Sequence, residues 1–281
     1  MSAFTMRERV VATCIVAGLV WAAPSVPAAA QQKGIPDFSS NQVGWVGLNG
    51  GGPSFAPVPG QVAPVVSDPA HPFVPNGASA QPTYRIADLT NPNLKPWVKE
   101  RMKKDNDEVL AGKVAFTARS SCMPAGVPGF MAFGGATPVY FVQTPKQVLM
   151  IFEGDAQVRR IYLDVPHSEN PKPSWYGESV GHYEGDTLVI DTIGQNLNSF
   201  VDVYRTPHTE KLHVVERWRI IDGGKMMEAT FTVDDPEAFY EPWTGMRRYR
   251  RAEREIIENI CAENNQHLFD YHIPVADKPD F

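Results

Sequence analysis

From Val139 to the end of the arginine-rich stretch at Arg251, apolar and polar residues alternate with a period of two. That pattern predicts eight short strands: 139–143, 147–153, 158–164, 175–184, 187–193, 212–221, 225–233 and 245–251. Turn-forming residues separate them: Thr144-Pro145-Lys146, Gly154-Asp155, Gly185-Asp186, Asp222-Gly223-Gly224 and Asp234-Asp235-Pro236. Strands this short at this spacing predict an all-β fold, an antiparallel meander that closes into a barrel. An open sandwich is the alternative.

One stretch fixes its own register. In 175–192, Gly185-Asp186 reads as a two-residue turn with glycine first, which suits the twist of paired strands. Tyr183 then faces Leu188, Gly181 faces Ile190 and Ser179 faces Thr192, on the side shared with Trp175 and Gly177. The opposite side carries Glu178, His182, Glu184 and Asp191. Alternation does not say which side lines the barrel.

Before Val139 the period changes. Pro92 to Gly112 reads as a helix, with Asn93 able to cap it, Pro96 in its first turn and Gly112 ending it. Its apolar contacts are Trp97, Val98, Met102 and Val109. Residues 31–90 form a Gly/Pro-rich extended leader, in which Gln42-Val43-Gly44-Trp45 is the piece able to dock. Residues 1–30 have the form of a signal peptide. Arg7 and Arg9 precede an apolar run from Val10 to Trp21, and Ala28-Ala29-Ala30 is a small-residue cleavage site. The expected location is periplasmic or secreted, without stable membrane insertion. The domain itself is then 91–281.

Export changes the meaning of the cysteines. Of the three in the chain, Cys14 lies in the signal, leaving Cys122 and Cys261 as an expected disulfide. Charge narrows the partners. The net charge is −6, and the first thirty residues contribute a net +1 from Arg7, Glu8 and Arg9, leaving −7 for the remainder. That argues against a nucleic-acid partner or an anionic membrane surface.

The blocks Arg160-Ile-Tyr-Leu-Asp164, 175–192, His213-Val-Val-Glu-Arg217 and Asp235-Pro236 resemble a large group of exported bacterial proteins without an assigned general activity. Its most specific part is the hairpin W-x-G-x-S-x-G-x-[WY]-E-G-D-T-L-V. The resemblance covers about Asn91 to the C-terminus; it implies an exported all-β domain and supplies no substrate. The meander also resembles a calycin-like (lipocalin-like) barrel, in architecture alone.

Three sets of residues carry candidate chemistry. His182 shares a face with Glu184 and lies diagonal to Asp191, whose carboxylate could fix the tautomer a general base needs. Glu216 alternates with Val214, Trp218 and Ile220. It is either an acid in apolar surroundings or one half of an ion pair with Arg160 or an arginine of 247–251. Gly177-Glu178-Ser179-Val180-Gly181 matches a nucleophile-elbow pattern, but a strand follows it where the elbow requires a helix, so no serine hydrolase is expected at Ser179. No second histidine stands at a ligand spacing from His182, so neither a metal nor a cofactor is predicted.

Two functions follow. One is an exported enzyme performing metal-free acid/base chemistry (a lyase, hydratase or isomerase) on a small, largely apolar organic molecule, through His182, Asp191 and Glu216. The other is a non-catalytic periplasmic binding protein for such a molecule. Trp175, Tyr183, Ser179, Trp218 and Arg217 are the candidate binding residues.

Overall fold

The computed structural model describes residues 34–39, 44–48, 55–73, 85–113, 118, 121–132, 137–252 and 255–264. The expected signal peptide, 1–30, lies outside them. Ten strands form one sheet: β1 (Gly44–Gly47), β2 (Ala56–Pro57), β3 (Val139–Gln143), β4 (Gln147–Phe152), β5 (Gln157–Leu163), β6 (Glu178–Glu184), β7 (Thr187–Ile193), β8 (His213–Ile221), β9 (Met226–Asp234) and β10 (Trp243–Ala252). Nine of them close into a barrel, because β1 pairs with both β3 and β10; β2 adds to β10 outside the ring. All eight strands expected from the alternation are present.

Two features of the barrel were not in the pattern. The closing strand comes from the Gly/Pro-rich leader, where Trp45 is fully buried and its indole N–H donates to Phe38 O at 2.9 Å. The meander is also not wholly antiparallel, because β5 and β6 pair in parallel over Ile161↔Ser179 to Leu163↔Gly181. The loop 164–177 makes that crossover possible, returning the chain to the same end of the barrel before β6 begins.

The hairpin register is the expected one, with Tyr183↔Leu188, Gly181↔Ile190 and Ser179↔Thr192. Its aromatic and aliphatic side looks into the barrel and its ionisable side looks out. Val214, Glu216 and Trp218 of β8 face inward with Met227, Ala229, Phe231 and Val233 of β9. Gly181 is where neighbours come close: a Cβ there would lie 2.8 Å from Val189 O and 2.9 Å from Ile161 Cγ2. Its gap is filled by Ile161 rather than left as a pocket.

Helix α1 (Pro96–Leu110) starts with Pro96 in its first turn, after Lys95 rather than after a side-chain cap at Asn93. Asn93 instead exchanges hydrogen bonds with the backbone of Glu241, pinning the helix start to the turn before β10. Val98 and Met102 are buried against the barrel. Cys122 and Cys261 form a disulfide with Cα atoms 5.5 Å apart, across 139 residues of chain. Closing a loop of that length contributes about 5 kcal/mol in the chain-entropy model. No described helix is long and apolar enough to cross a membrane.

Candidate functional site

Among the described residues, a buried ion pair lies inside the barrel. Alternation along β5 puts Arg159 on the inward face with Ile161 and Leu163, and β8 delivers Glu216 opposite. Both side chains are 0% exposed. Arg159 Nη1 donates to Glu216 Oε1 at 3.1 Å and Nη2 donates to Glu216 Oε2. Nε donates to Ser179 Oγ at 3.1 Å, Nη2 also reaches Thr192 Oγ1 at 2.8 Å, and Nη1 lies 3.9 Å from Met150 Sδ. A guanidinium has five N–H groups, and these partners engage them all. Glu216 Oε1 accepts a further hydrogen bond, from the Trp218 indole N–H at 3.3 Å. Glu216 pairs with Arg159, not with Arg160 or an arginine of 247–251 as expected: Arg159 alternates onto the inward face of β5 and Arg160 points outward.

What remains open on Arg159 is its flat face, and an aromatic ring covers it. Helix α2 (Gly129–Ala132) inserts Phe130, whose ring centroid is 5.4 Å from Arg159 Cζ. The same ring meets Phe152 at 4.9 Å, stacks on Trp218 at 6.3 Å with planes 10° apart, and meets Tyr176 edge-on at 6.5 Å. Phe152, Tyr176, Trp218 and Arg159 therefore make a cage, and its occupant comes from outside the barrel wall. The segment seats closely. Gln195 exchanges hydrogen bonds with the backbone of Val127, and Gly129 packs on Phe200 O so tightly that no Cβ fits.

Tyr176 takes the place that the sequence reading assigned to Trp175. Gly177 has φ +63, which breaks the alternation one residue before β6 and turns Tyr176 inward. Trp175 is half-buried in the turn. Of the other expected binding residues, Ser179 and Trp218 border the cage. Tyr183 lies further along β6, accepting from Gln143 Nε2 at 2.8 Å. Arg217 is on the outer surface, bound to Glu184 at 2.6 Å.

His182 and Asp191 do share the outer face, but they do not pair. His182 is half exposed and contacts Glu184 at 3.0 Å. Asp191 Oδ1 instead meets His213 Nε2 at 2.7 Å and His167 Nε2 at 3.0 Å, while His167 Nδ1 meets Glu178 Oε1 at 3.0 Å. Burial pushes the Asp191 carboxyl up, but the hydrogen bonds of His213 and His167 outweigh it and hold it below the usual range. The Asp191 hydrogen bond raises the His213 imidazole, against partial burial. Glu216 lies on the other side of the wall, so the three expected catalytic residues are not one site.

On the outer surface Glu228 accepts from Arg248 of β10 at 2.8 Å and from Arg219 of β8 at 2.6 Å. Arg247 and Tyr249 point inward, and burial drives the Tyr249 phenol well above its ordinary range. Ser179 is no nucleophile elbow, being a β6 residue tied to Arg159 and Thr192. Among the described residues, no group of three or more His, Cys, Asp or Glu side chains is placed to hold a metal ion. Comparison with protein-family models, with curated proteins and with solved structures finds no match for this chain.

Proposed function

We propose that the protein is an exported binding protein for a small, neutral, planar aromatic molecule, which takes the place of Phe130 in the barrel. The observation that carries this reading is the cage itself. Three aromatic rings and the face of a buried guanidinium enclose a ring supplied by a four-residue helix. Each aromatic pair contributes roughly 0.5–1.5 kcal/mol beyond burial, and a desolvated cation–π contact about 2 kcal/mol. Neutrality of the ligand follows from Arg159. Its N–H groups are engaged and its charge is balanced by Glu216, so it offers a π-facing surface and no donor for an anion. The disulfide supports an oxidising compartment.

The test is Phe130→Ala, which empties the cage. Titrating naphthalene into this variant and into wild type, with tryptophan emission and calorimetry as readouts, is expected to show tighter binding in the variant. A variant that keeps its far-ultraviolet spectrum and cooperative unfolding yet takes up no naphthalene removes the reading.

A second reading, acid/base catalysis, is favoured by two imidazoles meeting one carboxylate oxygen of Asp191. It uses His213 and His167 in place of His182. In a hydratase and isomerase substrate screen it requires turnover that His213→Gln abolishes and His182→Ala keeps.

A further inference from the structure

Between β7 and β8, a serine and a histidine meet beneath the segment that carries Phe130. Ser199 and His208 are 2% and 5% exposed. Ser199 Oγ lies 3.0 Å from His208 Nε2, and His208 Nδ1 lies 2.9 Å from Thr209 O. A carbonyl oxygen only accepts, so Nδ1 carries the proton in the neutral ring. Nε2 then faces Ser199 with its lone pair, and the serine hydroxyl donates to it. The alternative contact of that hydroxyl, Asn196 O, is longer at 3.3 Å.

The carbonyl that sets the tautomer is itself held. Asp235, fully buried, accepts from Thr209 N at 2.6 Å and from Thr209 Oγ1 at 2.9 Å. Burial lowers the His208 imidazole below its ordinary range, against the pull of the Thr209 carbonyl and Asp235, which keeps it a neutral base at pH 7. A hydroxyl on an unprotonated imidazole nitrogen, with the other nitrogen anchored, is the arrangement that activates a serine.

We infer that Ser199 and His208 are a nucleophile–base pair that accepts the acyl group of a carboxylic ester. Ser199 Oγ bonds to the ester carbonyl carbon while its proton passes to His208 Nε2. The bond from carbon to the alcohol oxygen then breaks, and that oxygen leaves with the proton. A water molecule completes the cycle: its oxygen bonds to the acyl carbon, one of its protons passes through Nε2 back to Ser199, and the acid departs. Asp235 is a positioning residue, acting through Thr209.

Access is through the cover. Gly126, at φ +74, lies so close that a Cβ would stand 2.6 Å from Ser199 Cβ and 2.7 Å from Oγ. Gly129 backs onto the Phe200 carbonyl in the same way. The pair is thus reached when the segment from Gly126 to Ala132 lifts, and Phe130→Ala removes the side chain that pins that segment in the barrel. Acyl transfer at this pair is independent of aromatic binding, since it requires only that the cover moves.

The test is labelling of the full chain by a fluorophosphonate, in wild type and in Phe130→Ala, with the site read by peptide mass spectrometry. Oγ bonds to phosphorus, fluoride leaves, and His208 takes the proton. Label is expected on Ser199, faster in Phe130→Ala, absent in Ser199→Ala and slowed about 100-fold in His208→Gln. The wild-type rate is expected to rise with pH through one ionisation below the ordinary histidine range, a readout that holds even if His208→Gln fails to fold. No label on Ser199 in either wild type or Phe130→Ala overturns the inference. So does a rate in folded His208→Gln equal to that of its parent.

Discussion

Replacing Arg159 with methionine leaves Glu216 inside the barrel without the cation that pairs with it. The structure sets the size of the effect. Glu216 is 0% exposed and loses the hydrogen bonds of both Nη groups, keeping that of Trp218 Nε1 at 3.3 Å. Ser179 and Thr192 lose their charged donor at the same time, though they still bond each other at 3.0 Å. Breaking one side of a buried pair costs about 3–5 kcal/mol, a large share of a typical stability of about 5–15 kcal/mol. Urea unfolding followed by tryptophan emission, with the disulfide intact, is the assay. The midpoint is expected to fall by on the order of 1 M, and the melting temperature by roughly 10 °C. The double variant Arg159→Met/Glu216→Leu removes both charges and is expected to recover to within about 1 kcal/mol of wild type, because apolar packing often replaces a buried pair without loss. A single variant within about 1 kcal/mol of wild type would show that Glu216 finds water, and would refute the sealed interior. A double variant as unstable as the single would show that the hydroxyls of Ser179 and Thr192 carry the cost instead.

Three further outcomes are expected. His213 has a raised folded pKa, so its contribution is complete below the unfolded value of about 6.5 and is lost as pH rises through the folded value. Asp191, with a depressed pKa, supports the same contact above about 3.9 and loses it as pH falls. His213→Gln should therefore flatten the stability decline above about pH 6.5, by no more than a few tenths of a kcal/mol because both groups are more than a third exposed; an unchanged slope speaks against the contact. Gly181→Ala should destabilise the barrel by about 1–3 kcal/mol, since its Cβ would press on the Val189 carbonyl and Ile161; a midpoint equal to wild type would place slack there. Cys122→Ser/Cys261→Ser should cost about 2–5 kcal/mol, measured by the same unfolding assay under oxidising conditions; equal stability would mean the bridge does not form in solution.

Some of the site was within reach of the pattern that revealed the strands. Arg159 alternates with Ile161 and Leu163, so its place on an apolar face was legible beside that of Glu216; what could not be read was that the two faces meet. Tyr176 was concealed by Gly177, whose positive φ shifts the alternation by one position just before β6. Phe130 gave no periodic signal, since α2 has only four residues and its side chain acquires meaning from the barrel it enters. The Ser199–His208 contact lies in a segment without regular periodicity. Its two residues are nine apart, a separation that sets no geometry outside a helix or strand.

The sequence alone determined what short-range physics controls. Side-chain alternation defined eight strands, and a two-residue turn at Gly185-Asp186 set the register of β6 on β7, because so short a loop leaves little choice of pairing. With residues 1–30 read as a signal peptide, the cysteine count left a single pairing, Cys122 with Cys261. Tertiary structure decided everything that depends on closure. The ring joins through β1, from a stretch whose Gly and Pro content suggested no strand, because β3 and β10 each present an unpaired edge that a strand between them satisfies. Closure then selects which inward side chains meet across the interior: Arg159 with Glu216, and Phe130 with Trp218. Those contacts join residues 57 and 88 positions apart, distances over which local patterning carries no information.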